Sequence, residues 1–185
     1  MIENPETGAL EAFNFDQLQE NVPELKRFNY RISSYQFNPP IDSSDMEPTL
    51  WAKLVKIIHY NYNNFDGFVI LHGTDTMAYT ASALSYLIQN NRRPVVVTGA
   101  QKPINLPVTD ARTNLRDSIL FAADDRSHGV NIVFGGKVIS GTRAKKEYSK
   151  SYNAFTTINF PEIAMIQDSR IVYFINDKER ISGHL

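Results

Sequence analysis

The sequence contains no cysteine among its 185 residues. A disulfide framework and a thiolate metal site are therefore excluded. The four histidines, His59, His72, His128 and His184, are scattered along the chain and do not follow a metal-ligand spacing. Because chains without disulfides are typical of reducing compartments, we predict a cytoplasmic location.

An excess of charge of one sign is also missing, since 19 Lys and Arg stand against 20 Asp and Glu for a net charge of −1. This balance offers no basic field for nucleic acid and no charge block suited to a membrane surface. No apolar run approaches the length needed to span a bilayer, and the first residues lack the basic and apolar regions of a signal peptide. With 42% hydrophobic residues, the composition indicates a globular chain of about one domain, without nucleic-acid or membrane partners.

Apolar runs of strand length alternate along the chain with segments of helical periodicity. The predicted strands are 31–37, 67–72, 94–98, 129–134, 137–140 and 170–174, and the predicted helices are 48–63, 76–88 and 110–123. A tight hairpin is expected at Gly135-Gly136, and 141–153 is expected to be a polar loop. This order predicts an α/β fold with a mostly parallel, doubly wound sheet and helices on both faces.

The turn between the strand 67–72 and the following helix is the first candidate site. Gly73 is followed directly by a hydroxyl and a carboxylate, Thr74 and Asp75, at the carboxyl end of a strand. Ligands bind at such strand ends in open α/β sheets, but Thr and Asp are also ordinary N-cap residues of a helix. Both interpretations remain open from the spacing alone.

Other polar residues carry the same ambiguity. Ser43, Ser44 and Asp45 either line a site or cap the helix that begins at Pro48, and Asp110 is predicted to cap the last helix. By itself, the pair Lys145-Lys146 is typical of a solvated loop. His72 ends an apolar strand, which favours a hydrogen-bonded core histidine over a catalytic base.

Four stretches in combination resemble the bacterial L-asparaginases, and in particular their cytoplasmic type I branch. The stretch from Gly67 to Met77 is similar to the second signature of that family. Further similar stretches follow the family's order and spacing at 42–46, 97–101 and 141–146, so the resemblance extends over almost the whole chain.

The resemblance implies hydrolysis of the side-chain amide of L-asparagine to L-aspartate and ammonia, with no cofactor and no metal. Thr74, Asp75 and Lys146 match the family's catalytic triad, and Asp75 would also receive the substrate's α-amino group. The expected substrate-binding residues are Asp42, Ser43, Ser44, Thr74, Asp75 and Ala100. A homodimer or homotetramer is implied as well. Lys145 stands where type I members often have Thr.

The sequence also departs from the family pattern, because it contains no Thr-Gly-Gly-Thr-Ile-Gly-Met stretch, which carries the family's other essential hydroxyl. We expect residues 1–185 to be a truncated asparaginase N-terminal α/β domain that is incomplete for catalysis. Residues 1–20 would be a flexible active-site loop and 170–185 the start of an interdomain link. The alternatives are a non-catalytic amino-acid-binding or interaction module, and a glutaminase or amidotransferase subunit.

Overall fold

The computed structural model describes residues 2–3, 10–11, 22–23, 25 and 28–175. Its helices are α1 (Pro48–Asn61), α2 (Met77–Leu87) and α3 (Ala111–Ala122), with a short 3₁₀ helix at Ser43–Asp45. Its strands are β1 (Ile2–Glu3), β2 (Leu10–Glu11), β3 (Phe68–Leu71), β4 (Val95–Thr98), β5 (Val130–Phe134), β6 (Lys137–Ser140), β7 (Ala144–Lys146), β8 (Phe155–Thr157), β9 (Ala164–Gln167) and β10 (Arg170–Tyr173).

The main sheet has six strands in the order β10-β9-β6-β5-β4-β3. The expected parallel pairing holds for β3 with β4 and for β4 with β5, while β5-β6, β6-β9 and β9-β10 pair antiparallel. The α/β fold predicted from the sequence is confirmed, with a mixed sheet. All four residues of β4 are buried, as expected for a β-branched run in the interior of a sheet.

Two apolar clusters lie on opposite faces of this sheet, since neighbouring residues of one strand point to opposite sides. Val95 and Val97 belong to a cluster that also contains Ile58 of α1 and Leu84 of α2. Val96 belongs to the other cluster, together with residues of α3 such as Phe121 and Ala122. The expected placement of helices on both faces is therefore confirmed.

Two hairpins of the main sheet use left-handed backbone at their tips. Gly135 and Gly136, with φ of 58° and 76°, join β5 to β6 as expected. Asp168 and Ser169, with φ of 50° and 61°, join β9 to β10 in the same way. Strand β9 was not predicted, because Asp168-Ser169 is a weaker turn signal than a pair of glycines.

The prediction of a strand at 31–37 is wrong. No residue of this segment pairs with another strand in the described ranges, and most of its side chains are exposed. Alternation of apolar and polar side chains does not produce a strand unless the backbone N–H and C=O groups form hydrogen bonds with a neighbouring strand. Arg31 instead donates a hydrogen bond from its guanidinium to the carbonyl of Asn64 and lies over the ring of Phe65.

The expected polar loop at 141–153 contains strand β7, which forms an antiparallel two-stranded sheet with β8. Lys146, the last residue of β7, lies opposite Phe155, the first residue of β8. Phe155 is buried and packs its ring edge-on against Phe134, with 5.0 Å between the ring centroids. A buried aromatic thus anchors the base of the hairpin, that is, its paired residues 144–146 and 155–157. The other strand, Ala144-Lys145-Lys146, has no apolar signal.

The predictions for the two chain ends fall mostly outside the described residues. Within 1–20 the structure describes only β1 and β2, which pair antiparallel. Within 170–185 it describes only 170–175, which contain β10. No helix among the described residues is long and apolar enough to cross a membrane.

Candidate active site

Three side chains meet at the carboxyl end of β3. Thr74 and Asp75 come from the turn that follows β3, and Lys146 comes from the end of β7. The ammonium of Lys146 donates hydrogen bonds to Thr74 Oγ1 and to Asp75 Oδ1, both at 2.8 Å. The Lys146 side chain is 19% exposed, whereas that of Asp75 is 69% exposed. The structure therefore brings together the three residues predicted as the catalytic triad, with the Asp75 carboxylate still open to solvent.

The N-cap interpretation of Thr74 and Asp75 does not agree with the structure. Helix α2 begins at Met77, its N-cap is Thr76, and no side chain caps it. The Thr76 hydroxyl donates instead to the carbonyl of Ser43 at 2.5 Å. Thr74 and Asp75 are thus free of a capping role, and their described side-chain partners are Gln101 in the turn after β4 and Lys146 at the end of β7.

The segment 42–45 forms its own 3₁₀ turn rather than capping α1. The carboxylate of Asp42 accepts a 2.8 Å hydrogen bond from the backbone N–H of Ser44, which lowers the pKa of that carboxyl. Helix α1 has Glu47 as its N-cap, without a capping side-chain bond. The capping interpretation of Ser43, Ser44 and Asp45 at Pro48 is therefore wrong.

This 3₁₀ turn packs directly on the turn that carries Thr74. A Cβ added at Gly73 would collide with Ser43 Oγ, and the side chain of Ser43 is buried. The hydrogen bond from Thr76 to Ser43 fixes the same contact from the other side. Of the predicted substrate-binding residues, Asp42, Ser43 and Ser44 thus lie beside the Thr74 turn.

The turn after β4 adds Ala100 and Gln101 to the same edge of the sheet. Because β3 and β4 are parallel neighbours, their carboxyl ends lie side by side. A Cβ at Gly99 would collide with the carbonyl oxygen of His72, so the two turns are in van der Waals contact. Ala100 is half-buried at this junction, where its predicted role near the scissile amide remains a prediction.

Asp110 is the N-cap residue of α3, and its side chain holds this second turn in place. Its carboxylate accepts the backbone N–H groups of Gln101, at 2.9 and 3.0 Å to its two oxygens, and of Lys102 at 3.1 Å. The first free N–H of α3, that of Ala111, is satisfied by the hydroxyl of Thr109. Asp110 is thus the N-cap residue of α3, as predicted, but its carboxylate makes no capping bond because it accepts two donors of a neighbouring turn.

His72 is a half-buried histidine with both ring nitrogens hydrogen-bonded, which agrees with the structural interpretation of the sequence rather than with a catalytic base. Its Nδ1 lies 2.7 Å from the carbonyl of Gly73 and its Nε2 lies 2.9 Å from the hydroxyl of Thr80. Trp51 Nε1 donates to the same hydroxyl, so Thr80 directs its own proton to Nε2, and Nδ1–H donates to Gly73. Burial lowers the pKa of His72, which agrees with a neutral ring.

Gln101 ends the stretch 97–101 but received no role from the sequence. Its Oε1 accepts the hydroxyl of Thr74 at 3.1 Å, and its Nε2 points at carbonyls of the loop after β7. No local pattern predicts this contact, because the two partners lie 27 and about 50 positions away. Among the described residues, no three His, Asp or Glu side chains are placed to hold a metal ion.

Comparison with known proteins identifies proteins that are similar to this chain in sequence. A family model for the N-terminal domain of asparaginase matches residues 1–179. L-asparaginase 1 of Escherichia coli strain K12 is 39% identical over 141 residues, which is 76% of this chain and 40% of that protein. A glutamyl-tRNA(Gln) amidotransferase polypeptide of Methanosphaera stadtmanae is 38% identical over 181 residues, or 94% of this chain and 40% of that protein.

The fold agrees with these relationships. The thermostable L-asparaginase of Thermococcus kodakarensis superimposes with a TM-score of 0.88 at 34% identity, covering 98% of this chain and 54% of that one. The chain thus spans about two fifths to one half of the length of the relatives it matches. On the matched family model, the sequence identities and the shared fold, the chain belongs to the asparaginase family, whose N-terminal domain it carries.

Proposed function

We propose that this chain provides the larger part of an amidohydrolase site that hydrolyses the side-chain amide of L-asparagine to L-aspartate and ammonia. The observation that carries the proposal is the ammonium of Lys146, which contacts Thr74 Oγ1 and Asp75 Oδ1 at the same distance of 2.8 Å. A threonine hydroxyl becomes nucleophilic when a neighbouring base removes its proton, and a lysine that has passed a proton to an adjacent carboxylate can act as that base.

In the proposed mechanism Thr74 provides the hydroxyl. Asp75 orients Lys146 and accepts one proton of its ammonium, so that the amine can take the proton of Thr74. Over the whole reaction the carboxamide C–N bond breaks, water provides the new C–O bond, and the amide nitrogen leaves as ammonia. The solvent-exposed side of the Asp75 carboxylate is available to an ammonium, and a charge-assisted contact with the substrate's α-amino group would use it. Asp42, Ser43, Ser44 and Ala100 would line the rest of the substrate pocket.

The most direct test is binding of the reaction product. Isothermal calorimetry of the folded chain with L-aspartate is expected to give a saturable heat, and Lys146→Met is expected to weaken it strongly. Gln89→Met serves as control, since Gln89 is exposed at the end of α2 and outside this site. A flat titration of folded wild-type protein would refute the proposal.

Catalysis itself is proposed to need more than these 185 residues. We also propose that the functional protein is a homodimer or homotetramer and that it is located in the cytoplasm. Ammonia release from L-asparagine by this chain alone is then expected to be far below that of a complete asparaginase. A turnover equal to that of a complete enzyme would overturn this part of the proposal. A non-catalytic binding module remains the alternative if L-aspartate binds while no preparation of the protein releases ammonia.

A second candidate is action on a glutamine amide, favoured by the similarity to the amidotransferase polypeptide over 94% of this chain. The balanced net charge of −1 provides no electrostatic footprint for tRNA. Parallel titrations with L-aspartate and L-glutamate separate the two, because the longer ligand would bind more tightly only in a glutamine-specific pocket.

A further inference from the structure

The side chain of Gln101 lies between the Thr74 turn and the tip of the β7–β8 hairpin. Its Oε1 accepts the hydroxyl of Thr74 at 3.1 Å. Its Nε2 lies 3.4, 3.1 and 3.1 Å from the carbonyl oxygens of Tyr148, Ser149 and Ser151. One carboxamide therefore contacts both the turn that carries the hydroxyl and the hairpin that carries Lys146.

The contact with Thr74 fixes the direction of a single proton. A threonine hydroxyl has one hydrogen to donate, and here it is donated to Gln101 Oε1. The oxygen of Thr74 consequently presents a lone pair to the ammonium of Lys146, which donates to it at 2.8 Å. Without an acceptor at Gln101, that hydroxyl could turn its hydrogen toward Lys146 and oppose the ammonium.

The contact with the hairpin fixes Lys146 from the other side. Lys146 ends β7, and residues 147–154, which include Tyr148, Ser149 and Ser151, form the connection back to β8. The base of the connection is closed by the N–H groups of Glu147 and Tyr148, which donate to the carbonyl of Ala154. At the tip, the Gln101 amide donates to the backbone of these exposed residues, and next to them the hydroxyl of Tyr152 donates to the carbonyl of Val108 at 3.4 Å.

Gln101 can act as a fixed point because its own backbone is held. Both oxygens of the Asp110 carboxylate accept its N–H. Asp110 is buried and accepts a further hydrogen bond from Asn114, which also donates to the carbonyl of Gly99. The turn that carries Gln101 is thus attached to helix α3 by several hydrogen bonds.

We propose that Gln101 is a positioning residue that sets the orientation of the Thr74 hydroxyl and holds the Lys146 hairpin against it. The catalytic part of this inference rests on the proposed function, since Gln101 aligns Thr74 with Lys146, the pair to which proton transfer is assigned. Before Lys146 can take the proton of Thr74, the hydroxyl has to break its hydrogen bond to Gln101. In a catalytically complete preparation, loss of Gln101 is expected to lower kcat with little change in KM, because it misaligns the reacting groups.

Two measurements that need no substrate test the two contacts. Limited trypsin digestion at the exposed Lys150–Ser151 bond reports opening of the hairpin tip, because cleavage follows the population of the open form. Nitrogen-15 NMR of the Lys146 ammonium reports exchange of its protons with water, which its two acceptors slow. Gln101→Met removes both contacts while retaining the side-chain length, and Gln101→Glu keeps an acceptor for Thr74 but loses the donor to the hairpin.

Gln101→Met is expected to raise both the cleavage rate and the ammonium exchange rate, each by about five- to tenfold, as for the loss of one or two hydrogen bonds. Gln101→Glu is expected to raise cleavage equally and to recover part of the slow exchange. Gln89→Met, at an exposed residue just after α2, should change neither. The melting temperature should stay within a few degrees of wild type in all three, since the contacts are at the surface.

Unchanged cleavage at Lys150 in Gln101→Met would overturn the hairpin contact, and unchanged exchange of the Lys146 protons would overturn the alignment of the pair. Raised cleavage together with unchanged exchange would leave Gln101 a purely structural loop anchor. Failure to bind L-aspartate would remove the proposed function without altering either readout. The two hypotheses can therefore fail separately.

Discussion

Replacement of Asn114 by leucine tests how the turn after β4 is held at the site. Asn114 lies on α3 and is 1% exposed. Its Nδ2 donates to the carbonyl of Gly99 at 2.9 Å and to Asp110 Oδ2 at 3.3 Å, and its Oδ1 accepts the N–H of Gly135 at 2.9 Å. Leucine fills a similar volume but makes none of these three bonds.

The expected loss follows from what each partner can do without Asn114. Gly135 is exposed, so its N–H can turn to water at a cost of about 1 kcal/mol. The carbonyl of Gly99 is half-buried and would lose about 1–2 kcal/mol, while Asp110 keeps the N–H groups of Gln101 and Lys102 and loses only its longest bond. We expect a fall of roughly 2–4 kcal/mol in the free energy of unfolding, a large part of the 5–15 kcal/mol typical of a domain.

Urea denaturation followed by the fluorescence of Trp51, the only tryptophan, measures this change. Thr113→Leu on the same helix is the matched control, since Thr113 is exposed and its replacement should change stability by less than about 0.5 kcal/mol. If Asn114→Leu lowers the free energy of unfolding by less than about 1 kcal/mol, at an unchanged slope with urea, the three hydrogen bonds of Asn114 do not contribute as expected.

Three further changes test the neighbouring contacts. Lys146→Met should weaken L-aspartate binding by about tenfold or more in calorimetry, yet leave the urea midpoint nearly unchanged, because an ion pair with a carboxylate that is 69% exposed contributes at most about 1 kcal/mol. Gly73→Ala should weaken the same binding and lower the melting temperature, since the added methyl collides with Ser43 Oγ. The folded-state pKa of His72 lies below its usual 6.5, so its stabilising effect is complete above about pH 6.5 and is lost as the pH falls toward the folded-state value. The difference in unfolding free energy between wild type and His72→Asn should therefore shrink from about pH 7.5 to about pH 5.5, and a constant difference would contradict a buried neutral ring.

The sequence predicted those parts of the fold in which local pattern and burial agree. The run Pro94–Thr98 is predicted as a buried strand, and β4 has that burial at every residue. The segment 31–37 has an equally clear alternation but no partner strand in the described part of the chain, so its pattern produced no strand. Pairing is a tertiary property, and periodicity within one segment does not contain it.

The candidate site shows the same division between local and long-range information. The resemblance located Thr74, Asp75 and Lys146 one by one, and the structure places their side chains within hydrogen-bond distance. The roles of Asp110 and Gln101 depend on contacts between turns that are distant in sequence. Local rules predict an N-cap at Asp110, and it holds that position, but they do not predict that its carboxylate binds two N–H groups of the neighbouring turn instead of those of the helix.

The proposed chemistry depends most on the position of the Lys146 ammonium. Two contacts of different kinds set this position. Phe155, opposite Lys146 in the hairpin, is buried against Phe134 of the main sheet, which fixes the base of the hairpin by apolar packing. The polar anchor is the Gln101 carboxamide at the tip, which can exchange its partners with water at little cost. The base of the hairpin should therefore persist whenever the domain is folded, whereas the tip can open locally. Such an arrangement keeps Lys146 beside Thr74 and Asp75 even when the hydrogen bonds of the tip exchange with water.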